Sequence, residues 1–413
     1  MSEWYGVLPE RWETRKVNDL FAERREKVSD TDFAPLSVSK GGTIPQIANV
    51  AKTNAGDNRK LVRKGDFAIN SRSDRRGSSG VSELDGSVSL INIVLTPRDE
   101  ANGRYWHYLL KSYNFIEEYY RNGRGIVADL WTTRYAEMKS IYLPLPPRDE
   151  QDQIVRYLDW KVSRINKLVN AKRRQVALLQ EQKRAEITEA VLSVHGTQVR
   201  LKRVVHKLNR SYKYTDEVVI CSNSGKTFFR GNKKIGVISE NDDIYQGVLN
   251  GDLMIHGMDT WHGAIAMSKH DGKCTTVAHV CDSKEDKRFI MYYLQMLAFR
   301  KLYKAISNGV RQNTSDFRSW GKAGDIDIVL PSLNEQHQIS DCLDLKLEQI
   351  EYAISKLENQ VSLLNEYRTR LISDVVTGKL DVRGVVVPEY EAVEETADEE
   401  IIEEEAEGDE NAD

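Results

Sequence analysis

Two long stretches of the chain, 149–193 and 334–377, contain neither glycine nor proline, and their apolar residues recur at alternating steps of four and three. In the second stretch the positions are Leu343, Leu347, Ile350, Ile354, Leu357, Val361, Leu364, Arg368, Leu371 and Val375. The same frame in the first reads Leu158, Val162, Ile165, Val169, Lys172, Val176, Leu179, Lys183, Glu186 and Ala190. A sustained 3.5-residue period gives a narrow seam that packs against another helix, so each stretch predicts one long helix and the pair a coiled coil. Lys172, Lys183 and Glu186 interrupt the first seam, which leaves fraying, register setting and a surface kept for a partner as alternative readings. Asp149 and Asn334 stand at the expected helix N-caps, just after prolines.

The residues before each helix follow a different pattern. Short β-rich runs (66–71, 87–95, 326–330) alternate with Gly, Asp and Asn turns and one helical stretch, 105–120 or 287–305. That mixture predicts an α+β globular domain ahead of each long helix.

The chain also repeats itself. Leu145-Pro146-Pro147-Arg148-Asp149-Glu150-Gln151-Asp152-Gln153-Ile154 returns 185 positions later as Leu330-Pro331-Ser332-Leu333-Asn334-Glu335-Gln336-His337-Gln338-Ile339. Lys64-Gly65-Asp66-Phe67-Ala68-Ile69 returns as Asn250-Gly251-Asp252-Leu253-Met254-Ile255, Asp85-Gly86 as Asp271-Gly272, and Asn122-Gly123 as Asn308-Gly309. Lys40-Gly41-Gly42-Thr43 has a looser echo in Ser224-Gly225-Lys226-Thr227. An ordered series at one spacing identifies a tandem duplication.

Connectivity orients the helix pair. A helix of about 45 residues is ~65 Å long. Parallel pairing would require the second domain to bridge that length, whereas antiparallel pairing sets the end of the first helix beside the start of the second. The expected architecture is therefore two globular domains at opposite ends of an antiparallel two-helix spacer, related by a pseudo-two-fold axis. The segment 380–387 would return to the first domain.

Charge adds a second theme. The net charge is -4, but the last 25 residues hold 14 of the 63 acidic residues and no Lys or Arg. The remainder sets 59 basic residues against 49 acidic ones, about +10, as expected of a chain that meets a polyanion. The acidic tail 389–413 is expected to be disordered. No run reaches the ~20 apolar residues of a membrane span, and the first residues carry no secretory pattern. Four cysteines without a CxxC pair fit no disulfide framework or zinc motif, so a reducing, cytoplasmic setting is expected.

Catalytic signatures are few. Gly225-Lys226-Thr227 resembles the end of a P-loop, but the earlier glycine of that motif falls on Ile220. Glu285 and Lys287 read as a charged turn before a helix, and His256, His262 and His279 are scattered. The chain is read as non-catalytic and metal-free. It does carry polar, partly basic loops at equivalent places: 72–80 and 121–125 with Arg134 in the first repeat, 256–263 and 308–313 in the second. Arg and Asn/Gln can contact base edges bidentately, while glycines allow close approach to phosphates. The candidate DNA contacts are Arg72, Arg75, Arg76, Arg124, Arg134, Lys226, Trp261, His262, Arg311 and Asn313.

The duplicated plan, the Gly-Asp-Phe/Leu-x-Ile strand, the Leu-Pro…Glu-Gln-x-Gln-Ile helix opening and Val375-Val376-Thr377-Gly378-Lys379-Leu380-Asp381-Val382-Arg383 together resemble the specificity subunit of type I restriction–modification enzymes. So do Leu8-Pro9-Glu10-Arg11-Trp12 and Glu23-Arg24-Arg25-Glu26-Lys27. The resemblance implies target-recognition domains at 1–146 and 196–331, spacer helices at 147–195 and 332–380, a return segment at 381–388 and the tail at 389–413. Each domain would read one half of a split DNA target. The helices would bind two adenine-N6 methyltransferase subunits, and translocation and cleavage would reside in a separate restriction subunit. S-adenosylmethionine, ATP and Mg would bind those partners, with no cofactor on this chain. The rival readings are a coiled-coil scaffold for protein partners, an orphan specificity protein and, more distantly, a nucleotide-dependent enzyme.

Overall fold

The computed structural model describes residues 4–46, 56–98, 102–125, 131–231, 244–303 and 317–394. It mixes helix and sheet, and two helices dominate, Arg148–Leu192 and Leu333–Val376. Among the described residues no helix is long and apolar enough to cross a membrane. The chain divides into two compact units, 1–173 with 358–413, and 174–357, so that each long helix contributes to both.

The two units carry the same four-stranded sheet. In the first, strands Phe21–Glu23, Asn92–Pro97, Phe67–Asn70 and Ser79–Val81 lie in that order, all antiparallel. In the second, Val205–Lys207, Ala278–Ser283, Leu253–His256 and Ile265–Met267 repeat the order and the pairing. A two-stranded ribbon leads into each long helix: Glu13–Lys16 pairs with Tyr142–Leu145, and Thr197–Arg200 with Asp327–Leu330. The helical layer holds Gly103–Lys111 and Tyr113–Arg121, which meet at Ser112, in the first unit and Lys287–Phe299 in the second.

The recurring motifs are joints of this framework. Gly65 and Gly251 take φ of +90° and +86°, a left-handed conformation that suits glycine. The next residues, Asp66 and Asp252, are almost fully buried and pair with Arg24 and Arg210. Asp85 and Asp271 cap the same turns, each accepting from the backbone N–H of Lys64 or Asn250 at 2.7 Å. Gln151 and Gln336 donate to the carbonyls of Pro146 and Pro331 at 2.9 and 3.0 Å, which fixes the entry into each long helix. Asn102 and Asp286 cap the domain helices. Arg104 and Tyr108 then meet Asp159 of the first long helix, as Arg288 and Tyr292 meet Asp344 of the second.

Helix pairing is visible within each unit. In the first, Leu158, Ile165 and Val169 share a core with Leu371 and Val375, and Val162, Val361 and Leu364 pack against it. In the second, Ile187 and Val191 share a core with Leu343, Leu347 and Ile350, and Leu179 and Ile354 pack on it. In both cases the start of one helix lies against the end of the other, the antiparallel arrangement. Val176 and Leu357 are half-buried. Near the end of the first helix the seam departs from the expected frame: Ile187 and Val191 are buried, while Glu186 and Ala190 are not. Steps of four from Leu179 through Lys183 carry the stripe there, because a straight helix drifts off a strict heptad.

The three polar interruptions each find a partner on the second helix. Lys172 Nζ donates to Gln360 Oε1 at 2.6 Å, Lys183 Nζ pairs with Glu351 Oε1 at 2.7 Å, and Glu186 Oε2 with Lys346 Nζ at 2.7 Å. A polar group in a seam is satisfied in one register only, so these contacts support register setting among the three readings. The second helix ends at Gly378 (φ +72°), where an added Cβ would stand 2.5 Å from Pro9 Cδ. Beyond it the chain continues as a return segment, with Gln153 Nε2 donating to the carbonyls of Val382 and Val385.

One expectation is corrected here. Residues 389–394, assigned to a disordered tail, lie along the first long helix. Ser163 donates to Glu391 O at 2.9 Å and accepts from Val393 N at 2.7 Å. Asn166 and Asn170 donate to Val393 O and Glu394 O. Composition alone concealed this, because the complementary side chains sit on a distant helix. Residues 395–413 lie outside the described residues.

Candidate nucleic-acid interface

In the first unit three segments far apart in sequence are sewn into one surface. Thr132 bridges both Arg72 and Arg124 through the backbone. Its N–H donates to Arg124 O at 3.0 Å, and its carbonyl accepts from Arg124 N at 2.9 Å. Ser73 N donates to Trp131 O, and Thr133 N to Ser71 O. Tyr119 and Tyr120, on the helix beneath, donate their hydroxyls to Thr133 O at 2.8 Å and Asn70 O at 2.9 Å. Burial holds both hydroxyls protonated by raising their pKa. Gly123 must be glycine: a Cβ there would come within 2.5 Å of Trp131 Nε1 and 2.7 Å of Thr133 Oγ1.

The five arginines chosen from the sequence in this repeat therefore belong to one cluster of segments. Arg72 and Arg75 are half-buried, and Arg76, Arg124 and Arg134 are exposed. Arg76 pairs with Glu117 at 3.1 Å and lies over the Tyr120 ring, and Arg124 approaches Glu137 at 3.7 Å. Arg134 opens the short helix Tyr135–Met138, with its backbone N–H donated to Glu137 Oε2 at 3.1 Å. Exposed ion pairs of this kind are worth only ~0–1 kcal/mol, so a phosphate could displace their carboxylates at little cost. Beside them opens a cavity of about 820 Å³ walled by Trp4, Tyr113, Tyr120 and Trp131 together with Arg76 and Arg121. Tyr113 and Trp131 were not singled out from the sequence, where only an aromatic beside a basic run could have drawn attention to them.

The second unit places its candidates differently. His256–His262 forms a tight loop that ends at Gly263 (φ +95°), with His256 Nδ1 3.0 Å from Asp259 Oδ2. That contact holds the Asp259 carboxyl below its usual pKa. His262 is exposed. Trp261 is half-buried and packs against the unit's core, so it supports the loop more than it presents a face to a ligand. Lys226 is exposed in a turn. Gly225-Lys226 sits in the turn between strands Val219–Cys221 and Thr227–Phe229, with no helix following, and Lys226 Nζ pairs with Glu351 of the second long helix at 3.2 Å. Arg311 and Asn313 lie outside the described residues.

Glu285 accepts a hydrogen bond from Gln336, and Lys287 pairs with Asp282, so both are engaged in the framework. Among the described residues no group of three or more His, Cys, Asp or Glu is placed to hold a metal ion.

Residues 9–178 match the family model of the type I restriction modification DNA specificity domain. The resemblance of the sequence to type I specificity subunits is borne out. Among solved structures, a chain from a study of complex assembly and conformational transition of the type I R-M system is similar, with a TM-score of 0.61 and 16% identity over 91% of this chain and 100% of that one. The HsdS subunit from Thermoanaerobacter tengcongensis aligns with a TM-score of 0.42 and 18% identity, over 92% of this chain and 100% of that one. The type I S subunit from M. genitalium aligns with 0.37 and 14%, over 91% and 99%. No curated protein matches the sequence.

Proposed function

We propose that the chain is the sequence-reading subunit of a type I restriction–modification complex. Each repeat reads one half of a bipartite, asymmetric DNA target, and the long helices dock two adenine-N6 methyltransferase subunits together with the translocating endonuclease. The chain performs no chemistry itself; S-adenosylmethionine, ATP and Mg belong to its partners. The observation that carries this reading is the pairing of one framework with two unlike tips. The joints at Asp66 and Asp252, and at Asp159 and Asp344, match contact for contact. The tips, Arg-rich in one repeat and His/Trp-bearing in the other, do not. A duplicated protein-docking scaffold explains the helices but gives no reason for the basic surface.

The test is DNA binding by the chain assembled with its methyltransferase subunit. Arg75, Arg76, Arg124 and Arg134 changed singly to Ala are expected to sort into two groups. A base-reading arginine costs ~1–3 kcal/mol and relaxes one position, whereas a phosphate contact weakens all sequences and lowers the salt slope. Unchanged affinity and salt dependence in all four variants would overturn this assignment of the interface.

A further inference from the structure

The cavity beside the arginine surface of the first unit is walled largely by one helix. Tyr113, Glu117 and Arg121 stand four residues apart along Tyr113–Arg121 and so share one stripe of it, and Glu118 lines the cavity too. Trp4 and Trp131 add two indoles. Each indole N–H is held by a backbone carbonyl, Trp4 Nε1 by Tyr142 O at 2.9 Å and Trp131 Nε1 by Tyr120 O at 2.7 Å, which fixes both rings. Tyr113 is 58% exposed. The charges of the wall cancel: Arg76 pairs with Glu117 at 3.1 Å, and Arg121 pairs with Glu118. Such a wall suits a flat, neutral ligand with donors and acceptors along its edge. An anion would meet the carboxylates as well as the guanidinium groups, and an aliphatic group would desolvate four charges without offering a hydrogen bond.

A nucleobase has that character, since its faces stack on aromatic rings and its edge forms hydrogen bonds. Guanine presents neighbouring N1–H and N2–H2 donors, which one carboxylate accepts together, and its O6 and N7 accept from a guanidinium. The volume, about 820 Å³, lies within the ~300–1,000 Å³ of small-ligand sites. We propose that this cavity is a guanine-binding site, in which Tyr113 and the indoles take the face of the base and Glu117 takes its donor edge. The exposed ion pair to Arg76 yields Glu117 at little cost. Arg76 keeps its place over the Tyr120 ring, 5.3 Å from the centroid. The base comes either from the DNA target, unstacked from the half-site that this repeat reads, or from a free guanine nucleotide. The first source rests on the DNA-reading function proposed above; the second does not.

The test uses the chain assembled with its methyltransferase subunit and has two arms. In the first, each guanine of the target is placed in turn opposite a mismatched base, which lowers the cost of unstacking it. At one position the mismatch is expected to tighten binding about tenfold in the parent complex and in Tyr113→Phe, but not in Tyr113→Ala or Glu117→Gln. A mismatch at the methylated adenine is the control, because the methyltransferase unstacks that base and Tyr113→Ala should leave its effect intact. In the second arm GMP and AMP are compared without DNA by equilibrium dialysis. A preference for GMP of about tenfold, lost in Glu117→Gln, with no response to any mismatched guanine, assigns the site to a free nucleotide. Failure of both arms overturns the site, and so does a loss in Tyr113→Ala that is equal for every duplex with no preference for GMP. If the complex distinguishes no DNA sequence, the proposed function fails, and the nucleotide arm alone decides the cavity.

Discussion

The two repeats solve one folding problem with nearly the same contacts and then diverge where a ligand would be met. Arg104, Tyr108 and Asp159 form the joint between domain and helix in the first repeat, and Arg288, Tyr292 and Asp344 form it in the second. Three segments around Thr132 make an arginine-bearing surface in the first. The corresponding region of the second presents a compact His256–His262 loop, while Lys226 turns to its own helix. Framework residues must satisfy buried charges and backbone ends, which leaves little freedom. Tip residues are constrained by little except what they touch, and they differ.

The largest expected effect follows from that contrast. Replacing 20–145 by the same region of a relative should change one half-site completely and leave the other intact, as read by methylation of a library of bipartite targets. A change in both halves would break the independence of the repeats.

A smaller effect tests the equivalence of the joints. Asp66 is buried against Arg24 and also accepts from Thr96 Oγ1 and from Arg63 N. The pairing raises the Arg24 pKa. Asp66→Ala strands those donors and should cost about 3 kcal/mol. Asp252→Ala, which strands Arg210 and the Leu249 N–H, should cost a similar amount in its own unit. Urea unfolding of each variant measures both, and a twofold difference would show that the repeats no longer share their supports.

The smallest effect exploits a place where the frameworks differ. His107 stands where the second repeat has Met291, counting from the capping residues Asn102 and Asp286. Burial, helped by Lys111 and Arg104, pushes the His107 pKa down to about 3, and the neutral ring accepts from Val81 N at 3.4 Å. In the unfolded chain the ring titrates near ~6.5. The unfolded state therefore binds the extra proton between these values, and stability falls as pH drops below about 6.5. His107→Met should remove up to about 2 kcal/mol of the loss between pH 7 and pH 5, measured by urea unfolding at the two pH values. An unaltered pH dependence would show that the ring is not held neutral.

The sequence made the large elements legible because they rest on periodicity. Heptads marked both long helices, and one repeat offset marked the duplication, since buried seams and joints restrict residue choice at every turn. The joints themselves were visible as motifs, but their partners were not: nothing in Asp66 or Gln336 announces Arg24 or Pro331 O. The sewing of Arg72 and Arg124 around Thr132 depends on backbone bridges that any residue type could make. The pairing of Lys226 with Glu351 was not legible because the two are distant in sequence, nor the seating of 389–394, because an acidic composition says nothing of an amide ladder on another element.

The central claim is that one chain reads two different half-sites. Sequencing the methylated adenines of a host that expresses this chain with its methyltransferase tests it most directly. The expected result is a single bipartite, asymmetric motif with a fixed unread gap, modified once on each strand. A continuous palindrome, or two identical half-sites, would contradict it.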